Sequence, residues 1–299
     1  MIYDAALDLL IEEQRAAQGA LAGAPPPAPA FVLPAEDWVL PGQAPLKLRI
    51  IRPPGAIRAA MPHLHAGGFT SGNPAMADGG NSELSRAAGL VTVSVDYRLA
   101  PEHPHPAALE DCLRAALWLI GSAKAQFGTG QLLIGGESVG ASLAVLTLLR
   151  LRDQHAAARA FLGANLALGN YDFSGTPSQR HATPALFLSP ERLRATVAAA
   201  FPGRDPEQLR EPGISSLYAL LADLPPAIFT VGTQDSVLDD SLFMARRWQA
   251  AGNRAELALY PEATHLFMLL HTRMAAEARR RVVAFLRGCL ESEPATLQV

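Results

Sequence analysis

The 299-residue sequence predicts an α/β protein: a mostly parallel central sheet with helices on both faces and a small helical cap. Three observations carry that prediction. Short β-rich runs alternate with longer stretches of helical periodicity, the pattern of strands joined by helical crossovers. The chain is 49% hydrophobic and 18% charged, enough apolar material for a large core. The alternation breaks once, between about residues 173 and 221, where Pro177, Pro184, Pro190, Pro202, Pro206 and Pro212 interrupt short amphipathic pieces such as 191–201.

Taken in order, residues 3–18 space Leu7, Leu10 and Ile11 along one face of a helix. The stretch Ala24-Pro25-Pro26-Pro27-Ala28-Pro29 that follows holds neither helix nor inner strand. From Leu46 the pattern reads strand (46–52), strand (61–65), strand (90–95), helix (107–120), strand (131–135), helix (139–151) and strand (161–168). After the proline-interrupted segment it resumes with strand (227–231), helix (238–250), strand (255–260) and a closing helix (273–290). This divides the chain into an N-terminal arm contributing to the cap (1–35), a catalytic domain (36–172 and 222–299) and an inserted cap (173–221). The last strand is expected at the sheet edge, where its apolar residues invite a second copy, so a homodimer is expected.

Composition narrows the partners. A formal charge of −3 gives no electrostatic reason to expect nucleic acid or an anionic membrane. No run approaches the roughly 20 apolar residues that cross a bilayer, and residues 1–14 are acidic without the apolar core of a secretory signal. A cytoplasmic protein is expected, with Cys112 and Cys289 as reduced core thiols in no metal-binding spacing.

The chemistry centres on Gly136-Glu137-Ser138-Val139-Gly140, set between a strand and a helix. Glycines two residues before and after Ser138 permit a turn sharp enough to stand its hydroxyl clear of the backbone. The helix that begins there aims free N–H groups at any charge forming beside the hydroxyl, which makes the Val139 N–H a candidate oxyanion donor. Alone, the string also fits an ordinary glycine-punctuated turn. A serine hydroxyl needs a base, and the base a third group to hold it. Asp235 follows one strand end and His265 follows another, in the order Ser, Asp, His. Each has a bland alternative: Asp235 as a helix cap, with Asp239 and Asp240 as competing acids, and His265 as a solvated loop residue. Three elements delivering the three side chains to one sheet edge favour the catalytic reading. In His65-Ala66-Gly67-Gly68-Phe69, small residues let backbone N–H groups approach a substrate oxygen, while His65 itself is expected to hydrogen-bond within the loop. His63 and His65 lack a third ligand for zinc, so no metal or cofactor is expected.

At these residues the chain resembles the hormone-sensitive-lipase-like esterases of the α/β-hydrolase fold, bacterial family IV. The carriers are HAGGF (65–69), DYRLAPEHPHPAALEDC (96–112), GESVG (136–140), DLPPA (223–227), GTQDSVLDDS (232–241) and THLF (264–267). The resemblance implies Ser138 as nucleophile, His265 as general base and then acid, Asp235 as its orienting partner, and oxyanion donors at Ala66, Gly67 and Val139. It implies hydrolysis of short-chain carboxylic esters, small-molecule esters being the only partner apart from a second copy. Arg98 and Glu102 are expected to brace loops under the site through a buried ion pair. The family has glycine where Ala66 stands, and a non-glycine residue resists positive φ by roughly 1–2 kcal/mol, so a shifted loop is expected. Phe187, Leu188, Leu193 and Phe201 are available to line an apolar pocket. An amidase, lactonase or deacetylase would use the same machinery, and a non-catalytic small-ligand receptor shares the fold but lacks a member of the triad.

Overall fold

The computed structural model describes residues 5–21, 27–42, 44–181 and 188–292. Its strands, in chain order, are β1 (Ala35–Leu40), β2 (Leu46–Ile51), β3 (Ala59–Leu64), β4 (Leu90–Val95), β5 (Leu132–Glu137), β6 (Phe161–Ala167), β7 (Ala227–Gly232) and β8 (Ala255–Tyr260). They form one sheet in the order β1-β2-β4-β3-β5-β6-β7-β8. β2 runs antiparallel to both neighbours, β1 and β4, and every other pairing is parallel. Parallel neighbours need long crossovers, which the helices supply. These are α1 (Ala5–Ala20), α2 (Asp78–Ala88), α3 (Ala107–Phe127), α4 (Val139–His155), α5 (Pro177–His181), α6 (Pro190–Ala200), α7 (Pro206–Leu209), α8 (Leu238–Ala250) and α9 (Arg273–Glu291).

Each face of the sheet has its own core. On one, α3, α4 and α8 bury Leu119, Leu148, Met244 and Trp248. On the other, α2 and α9 bury Leu84, Ala88, Ala278, Val282 and Leu286, with Leu10 and Ile11 of α1 packed against them. Burial of α4 on nearly every side explains its continuous apolar run, since a helix roofed by neighbours has no solvent face to keep polar.

Two elements were not foreseen. β1 carries Glu36 and Asp37, alternates poorly and pairs only with β2, so its pattern is weak. α2 opens Asp78-Gly79-Gly80-Asn81, a poor helix former by propensity. Tertiary contacts override this: Asn81 Nδ2 donates to Ser94 Oγ of β4 at 2.8 Å, while Gly89 takes the left-handed conformation (φ 69°) that ends the helix. The proline-interrupted segment holds α5, α6 and α7, with Ser189 capping α6 and Asp205 in a capping box on α7. Phe187 lies outside the described residues. No helix among the described residues is long and apolar enough to cross a membrane.

Candidate active site

Ser138 sits between β5 and α4 at φ 55°, ψ −125°, a backbone conformation that costs roughly 1–3 kcal/mol. Its surroundings hold it there. A Cβ at Gly136 would lie 2.4 Å from the Leu64 carbonyl oxygen, and one at Gly140 only 1.9 Å from it. The two flanking glycines therefore let the turn press against the end of β3, the strand that feeds the His65–Phe69 loop. The Ser138 N–H donates to the Ala167 carbonyl at 2.9 Å, tying the turn to β6 as well.

The β7 and β8 ends bring the other two residues to the hydroxyl. Gln234 N–H donates to the Ala263 carbonyl and Glu262 N–H to Thr233 Oγ1, so the loop carrying Asp235 is zipped to the loop carrying His265. A Cβ at Gly232 would lie 2.0 Å from the Ala263 oxygen, which explains the glycine at that crossing. His265 Nδ1 lies 2.9 Å from both carboxylate oxygens of Asp235, and its Nε2 lies 3.0 Å from Ser138 Oγ. Asp235 is buried and accepts a further hydrogen bond from Val237 N–H at 3.0 Å. A carboxylate facing Nδ1 places the ring proton there, which leaves the Nε2 lone pair toward the serine hydroxyl.

The competing acids are engaged elsewhere. Asp239 accepts from Ser178 N–H at 2.7 Å. Asp240 accepts from Tyr171 and Asp172 N–H, Thr176 Oγ1 and Gln179 Nε2, all within 2.8 Å. Complete burial outweighs these four donors and raises the Asp240 carboxyl to about 7.

Ala66, Gly67 and Val139 line one pocket with Ser138 and His265. Gly67 (φ 142°) and Gly68 (φ 61°) carry the unusual backbone of the loop, and a Cβ at Gly67 would collide with the Ser71 oxygen at 1.8 Å. Ala66 is not among the positive-φ residues, so the strain expected of it is absent. His65 is buried, stacks on Tyr97 at 4.1 Å and has Nδ1 2.8 Å from the Ala66 carbonyl, the internal bond expected of it. Burial lowers its pKa to about 4, so the ring is neutral and its Nδ1–H donates.

A cavity of about 80 Å³ opens beside the serine. Phe69, Phe173, Leu188, Leu193, Val197 and Leu266 give it apolar walls, with Asn170, Thr196 and Arg192 as polar additions. Of the side chains expected there, Leu188 and Leu193 line it. Phe201 instead stands behind the wall, packed on Phe69 and Phe173.

The Arg98–Glu102 ion pair does not form. Arg98 meets Asp111 at 2.8 Å and Glu110 at 3.3 Å, and Glu102 is exposed. Asp111, one turn into α3, is buried and also accepts the Arg98 backbone N–H. The loop is thus anchored to the helix that follows it.

Two supporting groups had no sequence signal. His63, buried two residues before the His65–Phe69 loop, places Nε2 2.9 Å from Glu137 and Nδ1 3.4 Å from Ser94 Oγ, linking the ends of β3 and β5. Gln18 of α1 accepts from Thr264 N–H at 3.0 Å and donates to the Glu262 carbonyl at 3.1 Å, bracing the loop that presents His265. Among the described residues no three His, Cys, Asp or Glu side chains converge as metal ligands.

Comparison with known proteins is consistent with this geometry. A family described as alpha/beta hydrolase fold matches residues 61–269. Esterase LipI of Mycobacterium tuberculosis is 32% identical over 231 residues, covering 74% of this chain and 71% of that protein. An ethyl acetate hydrolase of Pseudomonas putida is 30% identical over 239 residues, 75% of this chain and 71% of its own. Among solved structures, the hyperthermophilic esterase of the archaeon Pyrobaculum calidifontis superposes with a TM-score of 0.80 at 26% identity, over 96% of this chain and 92% of that one.

Proposed function

Because the chain belongs to the alpha/beta hydrolase fold family, in its hormone-sensitive-lipase-like branch, we propose that it is a serine carboxylesterase acting on short-chain esters. The observation that carries the reading is the 3.0 Å approach of His265 Nε2 to Ser138 Oγ with Asp235 behind the ring. In this reading His265 takes the hydroxyl proton as Ser138 attacks the ester carbonyl. The N–H groups of Ala66, Gly67 and Val139 receive the negative charge that develops on the carbonyl oxygen. His265 then gives its proton to the departing alcohol, and a water activated by the same ring releases the acid from the acyl-enzyme. Asp235 holds the tautomer and stabilises the imidazolium formed in each half.

Esters are favoured over amides or lactones by the relatives, which are named esterase, ethyl acetate hydrolase and carboxylesterase. In this reading segment 173–221 is the inserted cap and the 1–35 arm contributes to it. The edge position of β8 supports a homodimer contact there, and two free, buried thiols are compatible with a reducing cytoplasm. The test is Ser138→Ala with p-nitrophenyl butyrate: turnover should fall by about 10⁴-fold or more. A phosphonate inhibitor should label Ser138 alone. Retained turnover, or a label elsewhere, overturns the assignment.

A further inference from the structure

We propose that the pocket selects esters bearing a second, anionic group, a carboxylate on the acyl chain or on the leaving group, with Arg192 as its counter-charge. The proposal rests on the esterase reading above and names its substrate class.

α6 presents Arg192, Leu193, Thr196 and Val197 along one side, all four lining the pocket beside Ser138. The helix is seated firmly. Ser189 Oγ accepts from the Arg192 backbone N–H at 3.2 Å, and a Cβ at Gly68 would lie 2.8 Å from Thr196 Cγ2. The arginine is therefore carried by a helix in direct contact with the proposed oxyanion loop.

Among the described residues that line the pocket, Arg192 and His265 are the only titratable side chains, and no carboxylate is present. Three other arginines of the segment are paired with carboxylates, Arg194 with Glu191, Arg204 with Glu211 and Arg210 with Glu207, and Arg180 is not among the residues lining the pocket. Arg192 makes no such pair among the described residues. A guanidinium offers a planar fork of donors that matches a carboxylate. Arg192 is itself exposed, so the attraction is a solvent-screened one of modest size, responsive to salt. The overall charge is −3, so any preference for anions must come from this local cation.

The remote carboxylate takes no part in bond making. Ser138 Oγ bonds to the acyl carbon, the alcohol oxygen leaves with the proton from His265, and water restores the serine while releasing the acid. A substrate anionic in its acyl chain gives a dicarboxylate; one anionic in its leaving group gives an anionic alcohol.

The experiment compares kcat/KM for anionic and neutral partners in two arms. p-Nitrophenyl hemiglutarate against p-nitrophenyl valerate places the charge on the acyl side. 4-Carboxyphenyl butyrate against 4-carbamoylphenyl butyrate places it on the leaving group. Arg192→Gln should lower the anionic-to-neutral ratio about two- to five-fold in one arm, the size of one exposed ion pair, and the arm that responds locates the anion. Arg192→Lys, which keeps the charge but loses the fork, should recover only part of the ratio, and Arg194→Gln should leave it unchanged. Salt at about 0.5 M should shrink the ratio in the wild type but not in Arg192→Gln. Normal turnover of neutral esters with ratios untouched by Arg192→Gln in both arms would overturn this inference alone. Absence of turnover on every ester would instead sink the esterase reading beneath it.

Discussion

At the scale of single residues the site depends on which positions carry a Cβ. Ala66 keeps its N–H, and because the left-handed backbone falls on Gly67 and Gly68 its methyl costs nothing conformationally. Ala66→Gly should therefore change kcat/KM for p-nitrophenyl butyrate by less than about two-fold. A large gain would reinstate a loop distorted by alanine, for which removal of one oxyanion donor sets the scale at about 10²–10³. Ser138, Asp235 and His265 were legible in the sequence because each has a one-dimensional mark: glycines at fixed spacing, or a position just past an apolar run. Arg98 shows where such marks stop. Several carboxylates stand within a few residues of one another in 96–112, and only the turn into α3 selects Asp111 over Glu102. Arg192 had no mark at all, since nothing in a helical sequence says which side faces a cavity.

At the scale of elements, Asp240 joins α8 to α5 and to the chain between β6 and α5 through its four hydrogen bonds. Its carboxyl is raised from 3.8 to about 7, so the stability it contributes is fully present below about pH 4 and is lost as pH rises through 7. Asp240→Asn removes that titration. The melting temperature of the wild type minus that of the variant should therefore be larger at pH 5 than at pH 8, by several degrees on the scale of about 2–4 °C per kcal/mol. Equal differences at the two pH values, measured by calorimetry, would show that the four donors keep the group ionised throughout. Strong periodicity made α8 and α9 readable and an unbroken apolar run after the glycine turn made α4 readable, along with the inner strands. α2 and β1 were not, because their own sequences argue weakly and their contacts with β4 and β2 decide.

At the scale of the whole molecule, alternation of strands and helices announced a parallel sheet, but the antiparallel β2 at its margin and the strand order required the fold. β8 lies at the edge as its sequence position suggested, with Leu259 exposed beside the ladder. A lysine on an edge strand opposes pairing, so Leu259→Lys should convert a dimer to a monomer in light scattering after gel filtration; a wild type that is monomeric at all concentrations removes the proposed interface. The brace from Gln18 has a consequence of another kind. Gln18 and Glu262 are 244 residues apart, yet their bond steadies the perch of the proposed base. Gln18→Ala should lower kcat several-fold while KM stays near its original value, because a misplacement of about 1 Å can cost as much as 10²-fold. During synthesis the turn carrying Ser138 is made well before the loop carrying His265. That loop must then come back to a helix made earlier still, so the proposed pair of hydroxyl and imidazole cannot assemble until the chain has grown past His265 and folded onto Gln18.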